Sequence, residues 1–165
     1  MRRLSLAALA VALVGAFLVP HSALGIGHDA RAAQHQARAA QPQRFIGLQT
    51  NPSDKASPIV LGFGAIHARG KDRVISNHKD RFVFPKGSVV VVHQRAGHHA
   101  THDAKTCYFT EHEFGTFKVT SGTGAYAGAT GSGKYRAQFV AVGCHQNKPP
   151  SLFMLTIKAA GSITL

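Results

Sequence analysis

Gly122-Thr-Gly-Ala-Tyr-Ala-Gly-Ala-Thr-Gly-Ser-Gly-Lys-Tyr135 is the stretch whose reading decides the fold. Its second half, Gly128-Ala-Thr-Gly-Ser-Gly-Lys134, satisfies the first seven positions of a phosphate-binding loop, G-x-x-x-x-G-K. That chemistry needs Ser or Thr next, to hold magnesium, and a following helix whose N-terminus faces the phosphates. Tyr135 stands there instead, and Lys134 to Val142 alternates with period two, so the segment reads as a turn entering a strand. On that reading Gly122, Gly124, Gly128, Gly131 and Gly133 permit positive φ and close backbone approach. Tyr126, set among small residues, anchors the turn by packing back on the body of the protein.

Outward from this stretch the period of two persists. Strands are expected near residues 45–50, 59–68, 73–84, 88–94, 107–119, 133–143 and 151–158, with a short closing strand at 163–165. Between them Asn51-Pro-Ser-Asp54, Arg69-Gly-Lys-Asp72, Pro85-Lys-Gly87, a loop over 97–106 and Asn147-Lys-Pro-Pro150 carry turn chemistry. About eight consecutive strands without crossover helices is the pattern of an antiparallel barrel or sandwich.

The ends of the chain differ in composition. Met1-Arg-Arg followed by an uncharged apolar run from Leu4 to Val19, then Pro20 and Ala23-Leu-Gly25, reads as an export signal cleaved near Gly25. The run of about 16 residues is shorter than the roughly 20 a membrane span requires. Residues 26–43 are rich in Ala, Gln, Arg and His and have little to bury, which predicts a flexible arm before a barrel domain at 44–165. The chain is therefore expected outside the cell. There Cys107 and Cys144, the only cysteines, are expected to form one disulfide.

Lysine and arginine number 19 against 7 acids, and 17 against 7 without Arg2 and Arg3. Such a balance favours an anionic partner such as a cell-envelope surface. The basic residues are scattered, without the runs or aromatic interleaving of a single-strand platform, so nucleic acid is not the expected partner.

Three groups of residues are candidates for chemistry. In the strand over 107–119, Glu111 and Glu113 share a face with Phe109 and Phe117, so the pair is the candidate for general acid and base inside a barrel. A bulge at Gly115 would instead send both acids to solvent. His98, His99 and His102 lie in the 97–106 segment and would reach one ion only if that loop turned back on itself; the expectation is no metal site. Finally, Phe109, Phe117, Tyr135, Phe139 and Phe153, interspersed with Gly and Ala, would line a cavity for a small lipophilic or aromatic molecule. Ordinary core packing uses the same residues.

The order Phe82-Val-Phe-Pro-Lys-Gly-Ser-Val, Asp103-Ala-Lys-Thr-Cys107, Gly122 to Gly131 and Cys144 resembles a group of small secreted actinobacterial proteins of unassigned activity, over about 57–165. The glycine element, over 119–135, is similar to the turn of the allene oxide cyclase and dirigent barrels, where "GGTG-x-aromatic-x-G-A-x-G" leads into an inner strand; here Ser121 replaces the first glycine. The resemblance implies an all-β fold with a single antiparallel barrel of eight strands, often a homo-oligomer. It implies a hydrophobic cavity that acts on a reactive lipid or phenoxy radical without a cofactor. No catalytic motif of those barrels matches position by position. Three functions follow as expectations: a secreted barrel binding a lipophilic or aromatic ligand, a cofactor-free isomerase or cyclase, and a non-catalytic basic cell-surface protein.

Overall fold

A computed structural model of the chain describes residues 39–52, 57–145 and 148–165. The export signal at 1–25 and most of the 26–43 arm lie outside the described residues. Eight strands follow in order: β1 Gln41–Gln49, β2 Ile59–Gly64, β3 Ala68–Ser76, β4 Lys79–Phe84, β5 Gly87–Asp103, β6 Tyr108–Gly122, β7 Thr130–Val142 and β8 Leu152–Thr164. Each pairs antiparallel with the next, and β1 pairs with β8, which closes the sheet into a barrel. Closure leaves no edge strand to pair with another chain over the paired length.

Several strand boundaries differ from those expected. Residues 73–84 form not one strand but the end of β3, a turn at Asn77-His78 and all of β4. Arg69-Gly-Lys-Asp72 lies inside β3 rather than in a turn; the reversal comes earlier, over Ala65–His67. The two expected C-terminal strands are one, β8, because Ala159-Ala-Gly161 continues the ladder against both β1 and β7. β1 starts at Gln41, so Gln41, Pro42 and Gln43 belong to the barrel. Gln43 shows why. Its side chain is 1% exposed, its Oε1 accepts from Ile66 N–H at 2.7 Å, and its Nε2 donates to Ile66 C=O at 3.1 Å. This satisfies a buried backbone pair that the β2–β3 turn leaves open.

The expected 97–106 loop is strand as far as Asp103. There the Asp103 carboxylate accepts from Lys105 N–H at 2.9 Å and Thr106 Oγ1 at 2.8 Å, closing a tight turn. Cys107 is bonded to Cys144 across a 37-residue separation, tying the β5–β6 turn to the end of β7. A loop of that length contributes about 3–4 kcal/mol on the chain-entropy account.

The barrel is filled at one end. Phe45, Phe84, Val89, Phe117, Val119 and Ile163 are buried together, with Tyr126 and Ala129 plugging the opening. The Gly122-to-Tyr126 segment is held there by Thr123 N–H to Ser88 C=O and Ala125 N–H to Lys86 C=O, both 2.8 Å. Gly124 and Gly128 take φ of 61° and 80°, the left-handed region where a side chain is strained. Tyr126 meets the Phe84 ring edge-on at 6.0 Å.

The other end is uneven. β5 loses its β4 partner after Val92, and β8 has no β1 partner before Leu155. Strands β5 to β8 thus stand beyond the short β2–β4 side as a four-stranded wall.

Candidate functional site

Period two decides which side chains enter the barrel. β6 is continuous in its pairing with β7 from Tyr108↔Val142 to Val119↔Gly131, so Phe109, Glu111, Glu113, Gly115 and Phe117 share the inner face. The register shift lies on the facing strand, between Arg95 and Gly97 of β5, and not in β6 at Gly115. Both acids are therefore directed inward and half-buried, and only Glu113 reaches the cavity.

That cavity has a volume of about 230 Å³ and sits midway along the long strands. Its apolar wall comes from Phe45, Phe82, Phe117, Leu155, Ile157 and smaller residues including Ala137 and Ala159. Facing them is a polar arc of Asp72, Asp80, His93, Glu113 and Tyr135, one residue from each of β3 to β7.

The arc has two paired parts and one unpaired member. His93 Nε2 lies 3.2 Å from Asp80 Oδ2. The hydrogen bond to Asp80 holds the imidazolium, raising the His93 pKa above its usual 6.5 against the opposing effect of burial. Tyr135 Oη donates to Glu113 Oε1 at 2.5 Å, and Arg95 Nη1 lies 3.7 Å from Glu113 Oε2. Burial, reinforced by the Glu113 carboxylate, pushes the phenol pKa up, so Tyr135 stays a proton donor.

Asp72 is 6% exposed, and its Oδ1 has no hydrogen-bond partner among the described residues. Burial first, and the Asp80 carboxylate second, raise its pKa from 3.8 to about 7, with His93 pulling the other way. A carboxyl with a pKa near 7 in the wall of an apolar cavity can give or take a proton or pair with a cation.

The expected lining residues divide. Phe117 and Tyr135 line this cavity. Phe139 stacks edge-on between Phe109 and Phe153, with ring centroids 5.5 and 5.2 Å apart, on the inner face of the protruding wall. Phe109 also borders a separate depression of about 240 Å³ beside the disulfide.

The histidines do not gather. After the register shift His98 and His102 face the same side as their partners Glu113 and Phe109, whereas His99 is opposite His112 on the outer side. All four are exposed, and among the described residues no three His, Cys, Asp or Glu side chains are grouped as a metal would require.

Asp72, Asp80 and His93 were not singled out by the sequence reading. Asp72 was hidden in an expected turn and Asp80 in a strand whose hairpin was missed. The available signal was Lys79-Asp-Arg-Phe-Val-Phe84, where an acid shares the period-two face of Phe82 and Phe84.

Fold and site together define a closed eight-stranded antiparallel β-barrel with an interior, acid-rimmed apolar cavity. Comparison with family models, curated proteins and solved structures gives no match for this chain.

Proposed function

We propose that this protein binds a small apolar or aromatic molecule inside its barrel. The observation that carries the reading is the cavity of about 230 Å³, walled by phenylalanine and aliphatic side chains. That is room for roughly one aromatic ring with a short substituent, by comparison with dry cavities of about 150 Å³ that admit benzene. The half-buried Phe109–Phe139–Phe153 stack offers an apolar approach along the wall above it.

Titration calorimetry with benzyl alcohol tests the reading. Wild-type protein is expected to bind, and Ala137→Leu, which fills the lined space, is expected to weaken binding at least tenfold while circular dichroism stays unchanged. Absence of binding to wild type, or equal binding to the filled variant, overturns it. A ligand recovered chemically rearranged would make the barrel a cofactor-free isomerase, with Asp72 rather than Glu111 as its proton carrier.

A second reading concerns the outer face. Of the chain's 7 acids, Asp29 and Asp54 lie outside the described residues, and Asp72, Asp80, Glu111 and Glu113 are carried on inner faces, leaving Asp103 as the outward acid. Arg44, Lys134, Arg136 and Lys158 line a groove of about 940 Å³ that also holds His112, Phe114 and, from the inner face, Glu113. Arg136 and Lys158 are direct cross-strand partners, an arrangement that costs stability between like charges and suits an anionic surface. Binding to phosphatidylglycerol vesicles is expected at low salt and is expected to fall at least tenfold in 0.5 M salt or in the Arg136→Gln/Lys158→Gln double variant. Salt-insensitive binding counts against this reading.

A further inference from the structure

We propose that the barrel cavity selects ligands that carry a protonated amine, with the Asp72 carboxylate as the counter-ion and the phenylalanine wall holding the apolar remainder. The inference rests on the reading that the cavity binds a small molecule and goes on to name its chemical class.

The argument is an accounting of charge inside the barrel. Three carboxyl groups line the cavity: Asp72, Asp80 and Glu113. Asp80 is matched by His93 at 3.2 Å. Glu113 accepts the Tyr135 phenol and faces the Arg95 guanidinium. Asp72 is left over. The basic residues beside it in sequence, Lys71 and Arg73, alternate to the outer face and are exposed. β1 and β8 contribute only apolar side chains to the lining, and β2 contributes none.

A buried carboxylate without a partner is costly to the folded state, and a ligand cation removes that cost while being desolvated itself. An anionic ligand would meet three carboxyl groups and one imidazole, so it is excluded by the same accounting. The position is specific, because Asp72 lines the cavity, is 6% exposed and has an Oδ1 without a hydrogen-bond partner among the described residues.

Acidity has a defined direction. Asp72 must be ionised to pair with an ammonium group, and its pKa of about 7 places that ionisation between pH 6 and 8. Protonated His93 repels a cation at the low end of that range, so its titration acts in the same sense. The other polar groups facing the cavity are partnered, Asp80 by His93 and Glu113 by Tyr135 and Arg95, and the Tyr135 phenol, its pKa raised by burial, stays neutral.

The test is calorimetric titration with three probes of one shape, benzylamine, benzyl alcohol and benzoate, on wild type and Asp72→Asn. At pH 8 benzylamine is expected to bind wild type at least tenfold more tightly than benzyl alcohol, with benzoate weakest. Lowering the pH to 6 is expected to weaken benzylamine about tenfold and to leave benzyl alcohol unchanged. Asp72→Asn is expected to remove both the preference and the pH dependence. Equal binding of amine and alcohol, or a preference that survives Asp72→Asn, overturns the amine assignment and leaves the cavity reading intact. Binding of benzoate above benzylamine also overturns it. Failure of all three probes to bind overturns both.

Discussion

Asp72→Asn is expected to raise the unfolding free energy by on the order of 4 kcal/mol at pH 8 and by almost nothing at pH 4. Burial and the neighbouring Asp80 carboxylate move the Asp72 pKa from 3.8 to about 7. Each pH unit of displacement is worth about 1.4 kcal/mol. Below 3.8 the group is protonated in folded and unfolded chains alike and contributes no difference. Between 3.8 and 7 the folded chain holds a proton that the unfolded chain has released, so stability falls as pH rises. Above 7 the full cost is present, and the uncharged amide escapes it.

His93 acts in the same direction. Its pKa is raised by the Asp80 bond, so the stabilisation from that pair is complete below about 6.5 and is lost as pH rises through the higher folded value. Wild-type protein is accordingly expected to be more stable at pH 5 than at pH 8, and Asp72→Asn to flatten most of that slope. Thermal unfolding with the Cys107–Cys144 bridge intact measures it. In a barrel of this size the gain at pH 8 corresponds to roughly 10–15 °C. An equal gain at pH 4 and pH 8 would show that ionisation of Asp72 is not its source.

The barrel was legible in sequence because a closed antiparallel meander is written in local signals. Period two runs through β5 to β8, no helix pattern intervenes, and the glycine stretch reads as a turn once Tyr135 rules out the magnesium ligand. Strand boundaries were less legible where small residues leave no contrast between faces. Arg69-Gly-Lys-Asp72 looks like a turn because Gly70 has no side chain to show its face; in the barrel a Cβ on Gly70 would come within 2.6 Å of Phe84 Cδ1. That close packing is tertiary information and leaves no local trace.

The site was half legible for a related reason. Glu113 and Tyr135 were visible because they lie on strands whose alternation is clean, although nothing in either strand says that Tyr135 donates to Glu113. Asp72 and Asp80 share the inner face, diagonal to one another across the β3–β4 pair, only because a hairpin reverses at Asn77-His78, and a two-residue reversal with polar flanks carries little signal. The register shift at Arg95–Gly97 was invisible too, and it decides that His98 rather than His99 takes the inner face.

Gly133→Ala is expected to cost more than about 4 kcal/mol and to leave little folded protein, whereas Gly128→Ala, five residues earlier, is expected to cost only about 1–2 kcal/mol. Gly128 has φ of 80° and no heavy atom within 4 Å of an added Cβ, so the substitution meets conformational strain alone. Gly133 has ordinary extended geometry but no room. A Cβ there would overlap the Ala160 carbonyl oxygen and stand 2.6 Å from Phe117 Cε1 and 2.7 Å from Gly161 Cα. Gly133 and Gly161 are direct partners across β7 and β8. Two of those obstacles are backbone and cannot rotate away, which places the change among the overpacking substitutions with exceptional cost. Urea unfolding of the two variants separates the cases, and a Gly133→Ala protein as stable as Gly128→Ala would refute the space argument. The result bears on the site as well. Phe117 lines the cavity and its ring lies over Gly133, so the missing side chain sets the depth of the cavity at that end. The glycine stretch thus serves the barrel twice, by conformation at Gly124 and Gly128 where it turns, and by space at Gly133 where it becomes the inner wall.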